Sequence, residues 1–152
     1  MTTMLAPLRF AWGLNPDDEE QYEVTVATSE ELATVLARIH TEALTRGLAQ
    51  QVDAWAANAS TNPEDDLPDP FLQFVVGDRD RASLRWLGAD TQLQAVDPEL
   101  PPLPEPILYD NGGAADPMDP AATRLTLTTV LHILDVFLRQ GQRAPDITWV
   151  AI

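Results

Sequence analysis

The chain has 152 residues, the length of one domain, and is 45% hydrophobic and 22% charged, which excludes a disordered acidic tail and predicts one buried core. It carries 24 acidic residues against 9 basic ones, every one of them arginine, for a formal charge of -15, a field that repels nucleic acid and anionic lipid. Cysteine is absent, which excludes disulfides, thiol catalysis and sulfur-ligated metals.

The opening MTTMLAPLRFAWG has no basic residue ahead of a continuous apolar core and is too short to cross a bilayer, so the expected location is cytoplasmic. Residues 1–21 read as an irregular lead-in ending in the acidic run NPDDEE. YEVTVA alternates over Tyr22 to Ala27 and predicts a first strand. TSEE then offers Ser29 as an N-cap, with glutamates where exposed amides favour negative charge. Leu32, Val35, Leu36, Ile39 and Ala43 fall on one stripe of a first helix, and Gly47 is its natural stop.

LAQQVDAWAANAS fits two templates, because its alanines and glutamines suit a helix while Val52 and Trp55 alone do not set a period. TNPEDDLPDP is a loop. Phe71 to Val76 predicts an apolar strand, Gly77 to Asp80 a polar turn, and RASLRWL a hairpin partner with Leu84 and Trp86 on its packed face. TQLQAV extends this meander. DPELPPLPEP cannot run as a central strand, since proline has no amide proton to give a ladder. ILYDNGG is a short strand with a glycine turn, and DPMDPAATR is again loop. Thr126 or Thr128 can cap the long apolar helix LTTVLHILDVFLRQG, Gly141 ends it, Pro145 blocks its continuation, and Asp146 to Ile152 form a last strand. The order predicts an α+β fold: a mixed or mainly antiparallel sheet packed by two main helices on one face, in a single domain over 1–152.

Catalytic constellations are scarce. His132 and Asp135 lie three apart on one helix face, an arrangement that can orient an imidazole, yet no nucleophile can be named beside them, so a plain surface pair explains them better. Asp65 with Asp66, Asp78 with Asp80, and Asp116 with Asp119 place paired carboxylates in loops without the spacing of a calcium loop, and no metal or other cofactor is expected. NGG at 111–113 and GQRAP lack the lysine and hydroxyl of a phosphate loop and read as turns.

The charge is uneven. Residues 61–121 hold 13 acids and 3 arginines, whereas 122–152 hold 2 acids and 3 arginines. Carboxylate-bearing loops near Trp55, Trp86 and Tyr109 suit capture of a basic protein surface, although Trp86 in an alternating strand fits a core better. The candidate contacts are Asp17, Asp18, Glu19, Glu20, Glu64, Asp65, Asp66, Asp69, Asp78, Asp80, Asp116 and Asp119.

The tail FLRQGQRAPDITW resembles the C-terminal signature of immunity protein family one of bacterial polymorphic toxin systems, through Phe137, Leu138, Gly141, Arg143, Pro145 and Trp149. Ala144 departs from it, standing where that family has arginine and proline adjacent. SEELATVLARI, DPFLQFVVGDRDRASLRWL and ILYDNGG resemble that family's first helix, central hairpin and glycine turn. The resemblance implies a strand around Val52 to Ala57. It also implies a cytoplasmic, non-enzymatic antidote that binds the toxic C-terminal domain of a cognate effector, often a nuclease or a nucleic-acid deaminase. The partner is then a cationic protein rather than nucleic acid or membrane, and the free chain a monomer or weak homodimer. The signature residues are assigned to the fold rather than to toxin contact. Two other readings stand beside it: a small structural or interaction domain without a toxin, and an enzyme using His132 and loop carboxylates.

Overall fold

The computed structural model describes residues 6–13 and 22–152. Its first element is β1 (Leu8–Trp12), inside the segment expected to be an irregular lead-in. The correction has a legible cause: Leu8, Phe10 and Trp12 alternate with Arg9 and the small Ala11, and the three large side chains are buried on one face. β1 lies between β2 (Tyr22–Val26) and β3 (Ala49–Ala56), antiparallel to both.

The stretch that local composition left open is therefore a strand. Tertiary pairing overrides alanine and glutamine propensity here, because β3 has neighbours on both sides and holds Val52 and Ala54 fully buried. One flank pairs with β6 (Phe71–Val76). The other flank is shared: β1 runs beside Val52 to Ala56, and β9 (Ile107–Asn111) runs parallel beside Ala49 and Gln50. The sheet continues from β6 through β7 (Ser83–Leu87) and β8 (Gln92–Val96) to β11 (Thr148–Ala151), all antiparallel. β10 (Ala114–Met118) closes the opposite edge against β9, and it corrects the loop expected over DPMDPAATR. Pro117 is compatible with this strand because an edge leaves one row of amides outside the ladder. A two-stranded ribbon, β4 (Ser60–Thr61) with β5 (Pro68–Asp69), folds the TNPEDDLPDP loop on itself.

The fold is thus α+β, a largely antiparallel sheet with two main helices. α1 (Ser29–Arg46) is capped by Thr28, whose hydroxyl accepts from the Glu31 amide at 3.1 Å, not by Ser29. Ser29 is the first helical residue, and its hydroxyl donates to Asp135 of α2 (Leu127–Gln140), tying the two helices together. Thr126 caps α2, and Gly47 and Gly141 end the helices in the left-handed conformation. The main core forms where Leu32, Leu36 and Ile39 of α1 and Ile133, Leu134 and Phe137 of α2 meet the even-numbered side chains of β1, β3, β6 and β7. Phe10 and Phe74 meet edge to face at 5.7 Å at its centre, and each fully buried side chain of this size stabilises the fold by about 1.5–3 kcal/mol.

A second, smaller core lies on the other face of the sheet, where Ala49, Val75, Ile107, Met118 and Ala122 pack with Leu103 and Tyr109. The proline-rich segment 97–106 helps to cover it. Its prolines cannot donate hydrogen bonds, so arginines hold it by its carbonyls: Arg124 Nε donates to Leu100 O at 2.7 Å and Arg81 Nη1 to Pro101 O at 2.6 Å. Gln94, buried beneath, donates to Leu84 O at 3.0 Å.

Candidate partner-binding surface

The acidic candidates separate into two groups at opposite ends of β6, a strand whose six residues span about 20 Å. At one end the 60–70 loop carries Glu64, Asp65, Asp66 and Asp69. Its shape is built by its own polar side chains. Asn62 Oδ1 accepts from the Glu64 amide and Asp65 Oδ1 from the Leu67 amide, both at 3.0 Å, and Asp66 adopts φ 59, a left-handed turn position that aspartate tolerates. Asp69 Oδ1 accepts from the Ala89 amide at 3.0 Å, which fastens this loop to the turn between β7 and β8. Asp90 stands in that turn. It was not among the sequence candidates, and the pairing of Phe71 with Leu87 together with the Asp69–Ala89 link across 20 residues brings it into the group. No arginine occurs in 60–70 or 88–91, and Leu67 is 45% exposed among the carboxylates.

The other end is of mixed charge. Asp78 Oδ2 accepts from the amides of Asp80 and Arg81, and Arg79 and Arg81 alternate with Asp78 and Asp80. Asp116 accepts from Asn111 Nδ2 at 2.9 Å, and Asp119 caps the short 3-10 turn Pro120–Ala122. Asp17, Asp18, Glu19 and Glu20 lie outside the described residues.

The tail residues belong to another part of the molecule. Phe137 and Leu138 are buried, Trp86 meets the Phe137 ring at 5.4 Å and the Trp149 ring at 6.4 Å, and the Arg143 guanidinium lies 5.6 Å from the Trp86 ring centre. Ala144 is fully buried and its carbonyl accepts from Trp149 Nε1 at 3.1 Å. The inserted residue thus holds the indole that closes the last strand, while Pro145 stays exposed. Trp55 and Tyr109 are half-buried on the sheet face opposite the helices, Tyr109 against the second core.

His132 and Asp135 do not pair. His132 Nε2 lies 3.0 Å from Asp146 Oδ1, and that hydrogen bond holds the Asp146 carboxyl below the ordinary carboxylate range. Asp135 instead accepts from Arg139 Nε at 2.9 Å and from Ser29. His40 Nδ1 accepts from the Gly77 amide at 2.9 Å, and partial burial lowers its pKa against the opposing pull of Asp78. Burial raises the pKa of the Asp53 carboxyl, with the Gln73 hydrogen bond opposing it in part. Among the described residues, no three His, Asp or Glu side chains gather closely enough to hold a metal ion, and no helix is long and apolar enough to cross a membrane.

The chain matches the family described as Immunity protein Imm1 over residues 20–151, most of its length, and belongs to that family. The membership links it to polymorphic toxin systems and places it among proteins that work by binding, without catalysis. A comparison with curated proteins gives no match.

Proposed function

We propose that the protein is an antidote that binds the C-terminal toxin domain of a cognate effector in the cytoplasm and blocks it through acidic loops, with a nuclease or nucleic-acid deaminase as the opposed toxin. The observation that carries this reading is the loop end of the sheet, where Glu64, Asp65, Asp66, Asp69 and Asp90 gather without an arginine. A toxin that acts on nucleic acid holds phosphates in a cationic groove. Carboxylates can occupy such a groove in place of phosphates, with fast, electrostatically steered encounter and charge-assisted hydrogen bonds.

Each carboxylate has a different availability for this. Asp65 gives one oxygen to the Leu67 amide of its own loop and Asp69 one to the Ala89 amide of the neighbouring turn, each keeping the other oxygen for a partner, whereas Glu64, Asp66 and Asp90 accept no hydrogen bond among the described residues. The test is calorimetric titration against the purified C-terminal domain encoded directly upstream, at low and high salt. Nanomolar binding that weakens with salt is the expected result. Absence of binding at both salts, checked by a second method, overturns the reading.

A further inference from the structure

We propose that the groove between the end of α1 and the proline-rich segment is the apolar anchor of the toxin interface, receiving one aliphatic or aromatic side chain flanked by basic residues; this rests on the toxin-binding reading above. The groove has a volume of about 560 Å³ and is open to solvent. Leu44 from the last turn of α1 and Leu108 from β9 both line it, at 40% and 55% exposure, so two of the large hydrophobic side chains that the fold leaves outside face one cleft from distant parts of the chain. Pro104 and Pro106 stiffen its wall, and a preformed wall loses little conformational entropy when a partner docks.

The cleft is maintained by a close approach that only glycine allows. At Gly77, φ is 103, and a Cβ there would collide with Ala43 of α1. The His40–Gly77 hydrogen bond holds the turn in that position.

Charge chooses the occupant. Asp78 and Glu105 stand on the rim with Arg79, and the negative end of α1 opens beside them at Gly47. A second copy of this chain would bring its own net charge of -15 against this one, whereas a cationic toxin domain supplies the sign complementary to Asp78, Glu105 and the helix end. An apolar centre inside a polar rim is how protein interfaces concentrate their binding energy.

The experiment compares wild type with the double variant Leu44→Gln/Leu108→Gln in titrations against the purified upstream toxin domain, at two salt concentrations. Both substitutions are at exposed positions and leave the net charge unchanged. The expected result is a Kd raised about 30-fold or more, the scale of a lost hot spot, with the salt dependence of wild type retained. A double variant that binds within about threefold of wild type overturns the groove proposal and leaves the toxin-binding reading standing. Wild type that does not bind overturns both. Hydrogen exchange on the wild-type complex gives a second readout that needs no variant: protection over 44–48 and 103–108 supports the proposal, and unchanged exchange there sinks it. Sedimentation of the free protein adds the last arm, since a wild-type dimer that the double variant dissociates assigns the groove to a second copy and overturns the toxin as its occupant.

Discussion

The C-terminal tail and the 60–70 loop are both punctuated by proline and polar residues, yet they do opposite things with them. In the tail Phe137, Arg143 and Trp149 converge on Trp86, the carbonyl of Ala144 is taken by the indole, and Pro145 stays exposed. In the loop Asn62, Asp65 and Asp69 hold the backbone in shape while Glu64 and Asp66 point their charge to solvent. A segment that is part of the core can be recognised across a family because packing tolerates few substitutions. A loop built on its own hydrogen bonds can exchange its outward side chains freely, which suits the partner-binding role proposed for it.

Four variants sharpen or break that contrast. The largest effect is expected in the tail: Trp149→Ala should destabilise the protein by about 3 kcal/mol, read by denaturant unfolding, because a half-buried indole loses its ring contacts and its hydrogen bond. Stability unchanged with toxin affinity lost would instead make Trp149 a contact residue. Next comes the loop, where Glu64→Gln/Asp66→Asn/Asp90→Asn should leave the melting temperature within about 2 °C of wild type, since surface changes of this kind cost little. The same triple variant should slow association with the toxin about tenfold at low salt and flatten its salt dependence, as measured by stopped flow.

His40→Ala is expected to cost about 1 kcal/mol at neutral pH by leaving the Gly77 amide without its acceptor. The pH dependence has a definite sign. The His40 pKa is lowered in the fold, so its contribution is present above the unfolded value near 6.5 and is lost as pH falls through the folded value. Wild type should therefore lose its advantage over His40→Ala as the solution is acidified. The smallest effect is a gain. Asp53 has a raised pKa, so ionising it costs stability as pH rises through its folded value, and Asp53→Asn, which keeps an acceptor for Gln73, should melt slightly higher at pH 7 and no higher at pH 3. A lower melting point for Asp53→Asn at pH 7 contradicts the sign.

Much of the architecture was legible in local pattern. The apolar stripes and glycine stops of α1 and α2, the hairpin of β6 and β7, and the exclusion of strand from 97–106 all follow from rules that act within a few residues. Two strands of the main sheet, like the small β4–β5 ribbon, escaped that reading. β1 is five residues long, and β10 contains Pro117, so each is stabilised chiefly by the strands beside it. The candidate surface was legible only as an excess of acid. Asp90 joined it through the Asp69–Ala89 hydrogen bond, while Asp78 and Asp80 turned out to sit beside arginines at the other end of β6.

By itself, then, the sequence determined the class of fold, the two helices and their glycine stops, the net charge and the signature that ties the chain to its family, because periodicity, glycine's conformational freedom and composition are short-range properties. Only the tertiary structure decided that Leu8 to Trp12 form a strand, that Trp149 packs on Trp86, and that Leu44 and Leu108 share a cleft beside Gly77. Each of these depends on neighbours many residues away in the chain, and contacts at that separation are set by how the whole sheet and its helices pack, not by any local preference.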